Sequence, residues 1–122
     1  MQGLREVAGQ IAAPLLYGKL FRLLGADAVI FANHGGRFGC TPATCRTLAE
    51  TALSPWGSPE GGLKAAVPVP AGGMTLARVP EMLQFYGKDV MLLIGGDLLS
   101  AGPRMAQEAA KFQQAVMNGT KS

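Results

Sequence analysis

Two Gly-Gly pairs carry the strongest chemical suggestion in this chain, and each closes a short apolar run. The runs are Val67-Pro68-Val69-Pro70-Ala71-Gly72-Gly73-Met74 and Met91-Leu92-Leu93-Ile94-Gly95-Gly96-Asp97. An apolar run of this length reads as a strand buried on both faces. A Gly-Gly pair at its end lets another group come close to the backbone, because no Cβ stands in the way. Two neighbouring strands that end like this bring bare backbone N–H groups together, which suits a phosphate. Gly72, Gly73, Gly95 and Gly96 are therefore candidate phosphate-binding residues. The same pairs also fit close backbone packing at strand ends with no ligand. Asp97 would repel a phosphate if it pointed inward, so it is expected to point away or to cap the next turn.

A third glycine cluster, Asn33-His34-Gly35-Gly36-Arg37-Phe38-Gly39, holds the candidate catalytic side chains Asn33, His34 and Arg37. His34 could donate to a ligand or act as an acid or base, or it could be structural. Arg37 could clamp a phosphate bidentately, or form a surface ion pair. Asn33, at the strand tip, is the best-placed polar group of the three. The order G-G-x-x-G is not the G-x-G-x-x-G of a dinucleotide site, and no acidic residue ends a second strand at the right distance. Neither a Ser/His/Asp set nor a carboxylate pair is visible. Cys40 and Cys45 lie five apart, not at the two-residue gap of a zinc knuckle or redox pair, and there is a single histidine. No metal site is expected on this chain, and both thiols read as ordinary reduced cysteines of a cytoplasmic protein.

The elements that must position these residues alternate. Pro14 starts a helix whose leucines 16, 20, 23 and 24 recur at helical spacing, with Lys19 and Arg22 between them, and Gly25 closes it. Gly18 suggests close contact with a strand. Residues 26–31 form a strand, and the glycine loop follows. Thr41 and Pro42 then start a helix that runs to about Leu53. A loop rich in helix breakers spans residues 54–62. The second strand covers 64–70, and its prolines, Pro68 and Pro70, alternate on one side and argue against full ladder pairing there. A short helix carries Pro80 in its first turn and ends at Gly87. Residues 89–94 form a third strand. A last helix starts near Pro103 and ends at Asn118-Gly119. This is an α/β chain of alternating βα units with parallel strands, each bearing glycines at the ligand-binding end of its strand.

The chain has 122 residues and a net charge of +3, which fits a single segment, 1–122, without a second domain. It is 48% hydrophobic and only 16% charged, apolar for so small a chain, so a face is expected to be covered by a partner or by more protein. Its scattered basic residues suit an anionic small molecule rather than nucleic acid. No run approaches the roughly 18 to 20 apolar residues of a membrane span, and the N-terminus lacks the basic-then-apolar order of a signal peptide.

At these residues the chain resembles the large-subunit family of ribulose-bisphosphate carboxylase (RuBisCO), and more closely the RuBisCO-like proteins of form IV. Gly18-Lys19-Leu20-Phe21-Arg22-Leu23-Leu24-Gly25-Ala26-Asp27 is similar to the helix and turn leading into strand 6 of that family's (β/α)8 barrel. The loop 33–39 sits where mobile loop 6 lies. Residues 68–74 resemble strand 7 and its phosphate loop, and residues 92–96 resemble strand 8 and the second phosphate loop. The likeness covers about residues 11–117, roughly the last three βα units of the TIM barrel.

Two departures set the chain apart from true carboxylases, which carry a catalytic lysine in loop 6 and a serine just before the strand 7 Gly-Gly. Here loop 6 has no lysine, and Ala71 stands at the serine position. The resemblance implies a C-terminal barrel segment that supplies phosphate loops for a phosphorylated sugar derivative. That substrate would be processed through an enediolate by isomerase, enolase or decarboxylase chemistry, not by CO2 fixation. It also implies Mg2+ in the complete enzyme, held by ligands on strands absent from this chain, and a homodimer. The isolated segment is expected to be inactive. A self-standing anion- or partner-binding α/β domain, or a truncated product without function, remains the alternative.

Overall fold

The structure, a computed structural model, describes residues 15–37, 39–55 and 62–121. Pro14, the expected helix start, lies outside the described residues, as do Phe38 and most of the breaker-rich loop. Helix α1 (16–23) begins as a π-helical stretch, Leu16–Leu20, and continues as α-helical Phe21–Leu23. Gly25 then turns the chain at φ 97° into β1 (Ala28–Ala32). Helix α2 (Pro42–Leu53) packs behind β1, with Thr41 capping it by accepting from the Thr44 N–H at 3.2 Å. Strand β2 (Val67–Ala71) pairs in parallel with β1, Ala28 opposite Val67 through Ala32 opposite Ala71. Helix α3 (Val79–Tyr86) ends at Gly87, φ 84°. A short helix α4 (Gly96–Ser100) leads into the long α5 (Met105–Thr120).

The third expected strand is not a regular one. Residues 89–94 lie along β2 through one bridge, Ala71 with Leu93, and two hydrogen bonds, Met91 N–H to Pro68 O and Leu93 N–H to Pro70 O. The cause is on β2. In a parallel ladder the N–H and C=O of one residue point to the same neighbour. Val67 and Ala71 point to β1, so Pro68 and Pro70 point to residues 89–94 and have no N–H to offer. Half the rungs are missing, and the sheet proper has two strands.

Helices cover one face of this sheet. Val29 and Phe31 on β1 are buried against Leu48, Ala49 and Ala52 of α2, with Tyr86 of α3 edge-on to Phe31. Val29, Phe31 and Leu48 each contribute about 1.5–3 kcal/mol when fully buried. On the other face Ile30 is 56% exposed, and Met91 and Leu93 are exposed as well, although Val69 is buried. The expected apolar stripe of α1 is likewise uncovered, with Leu20, Leu23 and Leu24 all exposed.

Besides Gly18, the buried residue of α1 is Arg22, at 5% exposure. Its guanidinium donates to the carbonyls of Gly18, Thr51, Ser54, Leu63 and Lys64 at 2.8–3.2 Å. These five acceptors compensate a buried charge that would otherwise be costly. They also tie α1 to the end of α2 and to the chain leading into β2. Gly18 makes its close contact with this helix, not with a strand, since a Cβ there would collide with the side chain of Thr51. Helix α5 runs past Asn118-Gly119, where it was expected to end. Leu83 of α3 occupies the space that a Cβ on Gly119 would need, so this glycine serves a helix–helix contact inside α5.

Candidate functional site

A cleft of about 440 Å³ opens at the C-terminal end of β2, lined by Gly72, Gly73, Met74, Thr75, Leu93, Gly95, Gly96 and Asp97. Both Gly-Gly pairs therefore reach one space, brought there by the pairing of Ala71 with Leu93 just before them. Gly72 and Gly73 adopt φ values of 99° and 63°, which only glycine takes without strain. Gly95 precedes the first turn of α4 and Gly96 opens it. The first N–H groups of such a turn have no acceptor within the helix. No lysine or arginine is among these lining residues, so the donors available are backbone N–H groups and the Thr75 hydroxyl. Asp97 is exposed and stands on the lining, a negative charge that opposes an anion unless it turns to solvent.

The glycine loop after β1 seals one side of the Gly72-Gly73 turn. A Cβ on Gly36 would stand 3.0 Å from the carbonyl carbon and oxygen of Gly72, so the two turns meet backbone on backbone. Arg78 holds them together. Its Nη1 donates to Gly73 O at 2.9 Å and its Nη2 to His34 O at 3.0 Å, while Nε pairs with Glu81 at 3.4 Å. The sequence offers no motif for this role. Arg78 reaches carbonyls rather than a side chain, one of them 44 residues away.

The candidate catalytic residues are not on the cleft lining. Alternation along the strand carries Asn33 to the same side as Val29 and Phe31, beneath α3. There its Oδ1 accepts from the Tyr86 hydroxyl at 2.7 Å and its Nδ2 lies 3.1 Å from Met82 Sδ. Both ends of the amide are used inside the protein, and Asn33, the polar group expected to be best placed at the strand tip, is buried. Burial pushes the Tyr86 phenol above its ordinary value, which keeps it a neutral donor to Asn33. His34 is 8% exposed, with its ring 4.6 Å from that of Phe85 and its Nε2 buried without a partner among the described residues. Arg37 is exposed and apart from the lining. The structure thus brings the four glycines together and leaves the three polar loop residues elsewhere.

No protein-family model matches the chain. It is 61% identical over 107 residues to the 5-methylthioribulose-1-phosphate isomerase of Rhodospirillum rubrum. It is 56% identical over 109 residues to ribulose bisphosphate carboxylase-like protein 1 of Rhodopseudomonas palustris. At 32% over 106 residues it is similar to the 2,3-diketo-5-methylthiopentyl-1-phosphate enolase of Bacillus cytotoxicus. These matches take in 87–89% of this chain and 24–28% of the relatives, so the chain spans about a quarter of their length. Its fold superimposes on the crystal structure of a Rubisco-like protein from Rhodopseudomonas palustris with a TM-score of 0.74 and 48% identity, covering 88% of this chain and 27% of that one.

Proposed function

The homologues of this chain are RuBisCO-like proteins, and from that premise we propose that it serves as the C-terminal segment of such a barrel and supplies its phosphate-binding loops. The observation that carries this reading is the cleft itself. Two Gly-Gly turns open onto one space, and nothing lies within 4 Å of a Cβ placed on Gly95 or Gly96. In the proposal, phosphate oxygens take that space and accept from the backbone N–H groups around it. The isomerase and the enolase among the relatives carry phosphorylated substrates in their names, which supports a phosphorylated sugar derivative as the ligand class.

The chemistry of the whole barrel, enediolate-based isomerisation or enolisation, belongs to strands beyond this segment in this reading. Among the described residues no three His, Cys, Asp or Glu side chains stand together. In this reading magnesium is held by ligands elsewhere in the barrel, and no step on this chain runs through it. A dimer of complete barrels completes the proposal. The uncovered leucines of α1 and the open sheet face around Ile30 support the segment reading rather than the dimer, since both are apolar surfaces that further barrel units would cover.

The test is titration calorimetry of this chain with 5-methylthioribulose 1-phosphate and with inorganic phosphate. Wild type is expected to bind both, and Gly96→Val to lose about tenfold or more in affinity, the equivalent of about 1.4 kcal/mol. Equal affinity in the two chains refutes the cradle.

A further inference from the structure

The two thiols, which the proposed function does not use, sit on the helix-covered side of β1. Cys40 stands just before the cap of α2, and Cys45 is the fourth residue inside that helix. These are the two positions that pack on each other in a hydrophobic staple, and here both are cysteine. Their sulfurs are 3.2 Å apart, and Cys45 Sγ also lies 3.4 Å from Ala32 O. Cys45 is completely buried, whereas Cys40 is partly accessible. A disulfide needs about 2.05 Å between the sulfurs, so they must close by only about 1 Å.

We propose that Cys40 and Cys45 are a dithiol that a low-molecular-weight disulfide oxidises reversibly to an intramolecular disulfide. The accessible Cys40, as thiolate, attacks one sulfur of the small disulfide and releases the first small thiol. Cys45 then attacks the Cys40 sulfur of the mixed disulfide and releases the second. The protein loses two protons and two electrons, and the oxidant takes them up to become two thiols. The new bond joins the end of the 33–40 glycine loop to α2, and so fixes the loop that lies against Gly72 and Gly73. Burial pushes the Cys40 thiol up to about 12, which makes the first attack slow at neutral pH. The diagnostic quantity is therefore the equilibrium, not the rate.

The chain is equilibrated in mixtures of glutathione and glutathione disulfide, once in buffer and once in urea, then acid-quenched and alkylated. Trypsin cuts after Arg37 and Arg46 and releases residues 38–46 with both cysteines in one peptide. The expected result is an unalkylated peptide lighter by two hydrogens, with an effective thiol concentration in buffer at least about fivefold above that in urea. A smaller ratio, or glutathione on Cys40 as the main product in buffer, overturns the proposal.

Discussion

At Gly73 an added Cβ would lie 2.8 Å from the Cα of Gly36 and 3.2 Å from Arg78 Nη1, whereas at Gly95 and Gly96 it would meet no atom within 4 Å. The two Gly-Gly turns are the same dipeptide at the end of the same kind of apolar run, yet they answer to different needs. Gly73 is dictated by the fold, because its backbone is left-handed and another backbone is packed onto it. Neither reason applies at Gly95 and Gly96, where φ is not positive and the space is empty. Close packing thus accounts for the first turn and does not account for the second. The case for a phosphate rests chiefly on the second turn, with the first shaping the opposite wall.

The contrast is sharpest at Gly73. Gly73→Val is expected to destabilise the chain by about 3 kcal/mol or more, from the left-handed backbone and the overlap with Gly36 together. Urea unfolding reads this, and a change under about 1 kcal/mol would mean that the two loops are not packed on each other. Arg78→Met comes next. It removes donors from two carbonyls, at a cost of about 1.5–3 kcal/mol, and loosens the first turn without touching the second. Amide hydrogen exchange should then rise across residues 33–36 and 72–73 and stay unchanged at 95–96. Uniform change in both places would mean that Arg78 does not hold the first turn separately from the second. The smallest effect belongs to Gly96→Val. A helical glycine with free space beside it gives way to a residue of slightly better helix propensity, so stability should stay within about 0.5 kcal/mol of wild type. A large loss there would place Gly96 with Gly73 as a packing residue.

Much of this organisation was legible in the chain. The βα alternation, the Thr41-Pro42 helix start, Gly25 and Gly87 as helix stops, and the convergence of the four glycines follow from local rules that the structure obeys. The deficit in pairing at Pro68 and Pro70 was also legible, although its consequence reached further than expected and left residues 89–94 short of a regular strand. What was not legible depends on direction. Asn33 and His34 lie in the loop that follows β1, as expected, but one step of strand alternation decides whether a tip residue faces the open end or a helix, and for Asn33 it chose the helix. Arg22 and Arg78 were unreadable for another reason. Each binds backbone carbonyls, which every residue has, so no partner type marks them in the sequence. The leucines of α1 announce an apolar face by their spacing, and the described chain leaves that face uncovered.

Whether the space above Gly95 and Gly96 holds a phosphate is read by thermal melts of wild type and Gly96→Val with and without 5-methylthioribulose 1-phosphate. With a phosphate site there, melting temperatures are equal without ligand, and ligand raises that of wild type and leaves that of Gly96→Val little changed. The same rise in both chains, or none in either, would contradict it.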